Sequence, residues 1–315
     1  MLMTKDYIKE INRLRKEKNA IILAHYYQTA DIQDIADFIG DSLALAQKAV
    51  SNDYPMIVLA GVKFMAETVK ILAPDKKVLI PDMEAGCSLA DSCSVEEFRK
   101  FIDEYPGRTI VSYVNTSAEI KAMSDIICTS SNAVKIIESL PVNEKIIFAP
   151  DRNLGNYIKS KTDRDIVVFN GTCHVHEAFS LEAIIKLKEE HPEAKIIVHP
   201  ECEMPVRMVA DFIGSTSALI KFTQDDPGRT YIVATEPGIF HQMQKMNPAK
   251  TFIPVPPKDS TCACSECNFM KLITIEKIYF ALMNEKPEIV LDDELIKRAS
   301  LPIKRMMEIS SKDGI

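Results

Sequence analysis

Ala36–Ala46 reads ADFIGDSLALA, and Ala210–Ile220 reads ADFIGSTSALI. Seven of the eleven positions are identical, at an offset of 174 residues. Half that offset leads to Ser124–Val134, SDIICTSSNAV, which keeps Asp125, Ile127 and a hydroxyl at Ser130, so the copies are 88 and 86 residues apart. Self-similarity at a fixed spacing is the mark of a chain assembled from repeated supersecondary units.

The register extends in both directions. Twelve residues before the shared Asp stand His25, Tyr113 and His199, and two residues after these come Tyr27, Asn115 and Glu201. Each pair closes a short apolar block: LAHYY, VSYVN and IVHPE. Downstream, a further apolar block in each copy runs into cysteine. Cys87 follows VLIPDMEAG, Cys173 follows IVVFNGT, and Cys262, Cys264 and Cys267 follow TFIPVPPKDST.

Short apolar blocks bounded by polar residues read as buried parallel strands. They recur at Ile21–Tyr27, Met56–Ala60, Val78–Ile80, Thr109–Val114, Ile126–Cys128, Lys145–Ala149, Ile166–Phe169, Ala194–Val198, Phe212–Ile213, Tyr231–Ala234 and Thr251–Val255. Helical patterns separate many of them, for example Leu43–Val50, Val95–Ile102, Ala133–Leu140 and Leu181–Glu190. Strands alternating with helices predict an α/β fold with parallel sheets. The expectation is three similar three-layer α/β/α domains, each with a short parallel sheet, around a pseudo-threefold axis. The divisions are an N-terminal helix over residues 1–18, repeats over 19–106, 107–192 and 193–272, and C-terminal helices over 273–315 packing on the repeats.

Composition narrows the function. A net charge of -7 argues against a generic binder of nucleic acid or acidic membrane. Trp is absent and aromatics are 7%, which leaves little for a base-stacking platform. Eight cysteines in 315 residues are too few for a secreted disulfide scaffold and enough for a metal site. The charged N-terminus lacks a signal-peptide apolar core, and no apolar run approaches the roughly 20 residues of a bilayer span. A cytoplasmic chain with reduced thiols is expected.

Ligands of open parallel sheets bind beyond the carboxyl ends of the strands. If the three copies face one another there, their polar and thiol side chains converge on one cavity. Ser42, Ser130 and Thr216 each follow a short strand and precede a helix, where free N–H groups favour anions. A single such residue is ordinarily a cap; three in register point to anionic substrate groups, and so to a locally positive pocket in an acidic chain. One thiol per copy suits zinc or an iron–sulfur cluster. The third ligand is ambiguous: adding 174 to 87 gives 261, nearest Cys262, whereas Cys267 ends the tight Cys262-x-Cys264-x-x-Cys267 group. Cys93, Cys128 and Cys202 are off that register, Cys128 reading as core and Cys202 as a neighbour of the site. His174 and His176 read as orienting residues or as surface histidines, and His241 as a residue within reach of the cavity.

AHYYQ at 24–28, GDS at 40–42, EAGCS at 84–88, YVNTSAE at 113–119, GTCHVHE at 171–177, HPEC at 199–202, GSTS at 214–217 and CACSECNFM at 262–270 together resemble quinolinate synthase, the A protein of NAD biosynthesis. The resemblance runs from about residue 20 to 310 and implies a pseudo-threefold α/β/α fold. It implies condensation of iminoaspartate with dihydroxyacetone phosphate to quinolinate, with loss of phosphate and water. It implies a 4Fe-4S cluster with three cysteine ligands, Cys87, Cys173 and Cys267, and one open iron acting as Lewis acid. The implied substrate pocket is His25, Tyr27, Ser42, Tyr113, Asn115, Ser130, His199, Glu201 and Thr216. Tyr27, Glu201 and His199 are the catalytic candidates, the first two for proton transfer. A functional link to an aspartate-oxidising enzyme supplying iminoaspartate is implied as well. The chain has CxCxxC where some members have CxxCxxC, which sets its Cys262/Cys264 pair apart from theirs, and Asn268 where many have Pro.

Overall fold

The computed structural model describes residues 4–258 and 265–311. Twelve strands form three separate four-stranded sheets, all parallel. The first holds β1 (Ala20–His25), β2 (Phe38–Gly40), β3 (Met56–Ala60) and β4 (Lys77–Leu79). The second holds β5 (Thr109–Tyr113), β6 (Ile126–Cys128), β7 (Ile146–Ala149) and β8 (Ile166–Val168). The third holds β9 (Lys195–Val198), β10 (Phe212–Ile213), β11 (Thr230–Ala234) and β12 (Thr251–Pro254). With helices flanking each sheet, this is the predicted fold of three similar α/β/α units.

The spatial order is the same in every sheet: second, first, third, fourth strand. The chain moves outward from its first strand to its second, then returns across to the third. The crevice between first and third strands is therefore a topological switch point, where ligands of such sheets bind. Residues just after those two strands are placed to meet a ligand.

The shared Asp explains why the repeated segment recurs. Asp37 accepts the N–H of Ile22 at 2.9 Å, Asp125 that of Ile110 at 2.7 Å, and Asp211 that of Ile196 at 2.7 Å. Each Asp also donates its own N–H back to the same residue's carbonyl, at 2.9, 2.9 and 2.8 Å. The pair of bonds ties the loop entering the second strand to the first strand and satisfies backbone groups that would otherwise be lost at the sheet edge.

Most strands are largely buried, β1, β3, β6 and β7 fully so, whereas β10 is half-buried and β12 partly exposed. Burial on both faces is why the sequence shows continuous apolar runs in place of alternation. Outside the sheets, the helix Thr4–Glu17 buries Tyr7, Ile11 and Leu14 against β1 and the helix Ile275–Asn284. The last helix, Asp293–Ser311, packs on Lys63–Leu72 of the first unit and on Ala118–Ala122 and β6 of the second. Among the described residues, no helix is long and apolar enough to cross a membrane.

Candidate active site and metal centre

A cavity lies where the carboxyl ends of the three sheets meet. All twelve sequence-predicted site residues line it, four from each repeat. His25, Tyr27, Ser42 and Cys87 come from the first, Tyr113, Asn115, Ser130 and Cys173 from the second, and His199, Glu201, Thr216 and Cys267 from the third.

Two histidines are set by one local device. His25 Nδ1 accepts the N–H of Tyr27 at 3.1 Å, and His199 Nδ1 accepts the N–H of Glu201 at 3.4 Å. With Nδ1 an acceptor, the ring proton sits on Nε2, which becomes a donor. Burial lowers the pKa of His25 to about 4 and of His199 to about 3, so both rings are neutral near pH 7. His199 Nε2 lies 3.2 Å from Ser130 Oγ.

Tyr27 and Glu201 occupy matching positions with opposite electrostatics. Burial pushes the Tyr27 phenol well above its usual range, and its hydroxyl meets Thr216 Oγ1 at 3.1 Å and Thr235 Oγ1 at 2.8 Å. For Glu201, burial pushes upward, but His176, His199 and Tyr113 together outweigh it and hold the carboxyl down to about 2. His176 Nδ1 is 2.6 Å from Glu201 Oε2, its Nε2 3.1 Å from Thr235 Oγ1, and its ring stacks on His199 at 4.5 Å. Glu201 Oε1 and Asn115 Oδ1 are buried without a protein partner. Two orphaned acceptors in a cavity await hydrogen-bond donors from a ligand.

The thiols also follow a common plan. Cys87, Cys173 and Cys267 are the N-caps of four-residue helices, Ser88–Asp91, His174–Glu177 and Asn268–Lys271. Each sulfur faces the backbone N–H of the residue three positions on: Ala90, His176 and Met270. Burial raises the pKa of all three thiols, Cys87 to about 12. A bound metal is what would convert them to thiolates. Cys267 thus shares the geometry of the other two; Cys262 and Cys264 lie outside the described residues. Cys173, His176 and Glu201 also bring ligand atoms within 4.8 Å of one another, a set competent to hold a metal.

Several side chains depart from expectation. The cavity is not positive through its side chains: Asp41, Glu201 and Glu236 line it, and among the described residues no Lys or Arg does. Ser42 and Thr216 begin their helices, with Asp41 and Ser215 as N-caps, whereas Ser130 stands in a turn before the N-cap Asn132. His241 points away, to Asp34 at 2.9 Å, and Cys202 is buried with its thiol on the Ala234 carbonyl at 3.4 Å. His176 belongs to the site more fully than its sequence indicated.

Glu236 and Lys271 went unnoticed in the sequence. Glu236 follows β11 at the switch point, accepts the N–H of Gly238 at 2.7 Å and of Cys267 at 3.3 Å, and pairs with Lys271 Nζ at 2.8 Å. Lys271 also donates to the Tyr27 carbonyl at 2.7 Å, joining third repeat to first. The register signal was available for Glu236, since Asp151 stands in the same place after β7.

Fold and site together define a class: an α/β enzyme of three like units sharing one buried, thiol-lined, metal-competent cavity. Residues 9–308 match the NadA family, quinolinate synthetase A protein. The chain is 58% identical over 305 residues to the quinolinate synthase of Microcystis aeruginosa, covering 97% of this chain and 95% of that one. It is 57% identical over 309 residues to that of Rippkaea orientalis, covering 98% and 95%. It is 58% identical over 305 residues to that of Nostoc punctiforme, covering 97% and 94%. The chain belongs to the quinolinate synthase family, enzymes of NAD biosynthesis.

Proposed function

We propose that this chain condenses iminoaspartate with dihydroxyacetone phosphate to form quinolinate, releasing phosphate and water, in the cytoplasm. The observation that carries this reading is the threefold supply of the cavity: one strand-end pair, one hydroxyl in matching register and one thiol from each repeat.

Ser42, Ser130 and Thr216 hold carboxylate and phosphate oxygens. His25 and His199 donate from Nε2 to substrate oxygens, and Tyr113 and Asn115 orient the chain of the substrate. Glu201, with Oε1 free, and Tyr27, whose hydroxyl lies between Thr216 and Thr235, are the proton-transfer candidates, the low pKa of the one and the high pKa of the other making each weak at that task until a ligand changes its surroundings. Burial keeps bulk water from a hydrolysable imine. The donor set fits a 4Fe-4S cluster: three free thiols, one per repeat, each facing a backbone N–H. Cys87, Cys173 and Cys267 would hold such a cluster, and it would supply Lewis acidity to the dehydration. A single ion on Cys173, His176 and Glu201 is the weaker reading, because His176 and Glu201 already bond each other at 2.6 Å. Iminoaspartate is unstable, so an aspartate-oxidising enzyme is the fitting source.

Anaerobic purification should give a brown protein with about four irons per chain, the number a cubane requires. Cys87→Ala, Cys173→Ala and Cys267→Ala should each remove the cluster. Cys93→Ala should keep it, because Cys93 is buried elsewhere beside Phe98, Ile120 and Ala149. A colourless protein carrying one zinc would refute the cluster, and absence of quinolinate from the two substrates would refute the reaction.

A further inference from the structure

Asp41 is an odd neighbour for a pocket that takes anions: a buried carboxylate, next in sequence to Ser42. Its bonds account for it. Oδ1 caps the helix Ser42–Val50 by accepting the N–H of Ala44 at 3.0 Å. Oδ2 accepts the hydroxyl of Ser131 at 2.8 Å and the hydroxyl of Ser217 at 2.7 Å. Ser131 belongs to the second repeat and Ser217 to the third, so one carboxylate binds all three.

The register makes the arrangement specific. Ser131 and Ser217 directly follow Ser130 and Thr216, and Asp41 directly precedes Ser42. The three members of this junction are therefore each bonded in sequence to one of the three hydroxyls assigned to anions. The junction is asymmetric: the first repeat has Leu43 where the others have Ser131 and Ser217, and the others have Thr129 and Ser215 where the first has Asp41. One acceptor from one repeat meets one donor from each of the others, a count that a symmetric trio of like residues would not give.

We propose that Asp41 is a positioning residue, a clamp that sets the spacing of Ser42, Ser130 and Thr216 and so makes hydroxyls from three repeats into one anion site. The proposal rests on the reading of the cavity given above. The carboxylate takes its hydrogen bonds from Ala44, Ser131 and Ser217 and none from Ser42, Ser130 or Thr216, so those three hydroxyls stay directed to the cavity, where Ser130 meets His199 and Thr216 meets Tyr27. Pulling any repeat away from the other two breaks at least one charge-assisted bond.

Two kinds of variant separate clamping from helix capping. Asp41→Ala removes both. The double variant Ser131→Ala/Ser217→Ala keeps the cap on Ala44 and removes only the clamp, and it serves if Asp41→Ala does not fold. Binding of quinolinate and of inorganic phosphate is measured by calorimetry on the metal-loaded protein, beside melting temperature and steady-state kinetics. Both variants should bind quinolinate roughly tenfold more weakly, about the worth of one well-placed hydrogen bond. KM should rise more than kcat falls, and Asp41→Asn should recover part of the affinity, because its amide oxygen still accepts one hydroxyl. Parental affinity in the double serine variant overturns the clamp. A parent chain that binds neither probe overturns the reading of the cavity, and the clamp with it.

Discussion

Gly40 and Gly214 stand at the same place in the first and third copies, and a Cβ at either would come within 2.8 Å of its neighbours, chiefly a Phe ring and an Ala methyl. The second copy has Cys128 there, with Ile126 in place of the Phe and Asn132 in place of the Ala. A residue that looked like a stray cysteine is thus the register-mate of two glycines, accommodated by a changed neighbourhood and fully buried. Strand-end chemistry was equally legible, because side-chain identity at a strand end needs no tertiary knowledge. Protonation was not legible, since it depends on burial and on partners far away in sequence. His25 and His199 titrate near 6.5 when unfolded and at about 4 and about 3 when folded. As pH falls below 6.5, the unfolded chain takes up protons that the folded chain refuses, so stability should drop through that window. Melting temperature against pH checks this, and His25→Asn should flatten the slope. Glu201→Gln should lower kcat by about a hundredfold or more with iron content unchanged; full activity would contradict its role in proton transfer.

At the scale of elements, eleven of the twelve strands were apparent as apolar blocks. The twelfth, β2 at Phe38–Gly40, is only three residues long and was visible only inside the repeated segment. The short helices behind Cys87, Cys173 and Cys267 were not apparent, because four residues make little more than one turn and carry no periodicity. Helix-to-sheet packing within a unit is tight enough to test. Gly155 lies inside the helix Arg152–Thr162, and a Cβ there would come within 2.5 Å of Val168 and 2.8 Å of Phe148, both on strands. Helix propensity alone favours Gly155→Ala by about 1 kcal/mol. Overpacking outweighs it at about 1–3 kcal/mol. Denaturant unfolding should therefore show Gly155→Ala to be destabilised, and a stabilised variant would mean that the sheet yields more readily than its burial implies.

At the scale of the molecule, what matters is how the repeats are held against one another. Gln33 of the first repeat donates to the Gly238 carbonyl of the third at 2.9 Å and accepts from Gln242 at 2.9 Å. There the two backbones nearly touch: a Cβ on Gly238 would lie 2.7 Å from the backbone of Tyr27. No rotamer change relieves a clash with backbone, so Gly238→Ala should shift Tyr27 off Thr235, lower activity and cost about 1–3 kcal/mol. Kinetics and unfolding on the same preparation check it; an unaffected kcat would show that the position of Tyr27 is set elsewhere. The sequence by itself determined the threefold repeat, the parallel sheets and eleven of the twelve cavity residues, because a strand's period and a repeat's register are local properties of a chain; register left the third cysteine open, and only the resemblance pointed to Cys267. Tertiary structure alone decided that His176 pairs with Glu201, that Glu236 and Lys271 stand behind the site, and that Asp41 joins all three repeats. Most of those contacts cross from one repeat to another, as Lys271 does to Tyr27 and Asp41 to Ser131 and Ser217, and only the packing of the units brings their donors and acceptors within bonding distance.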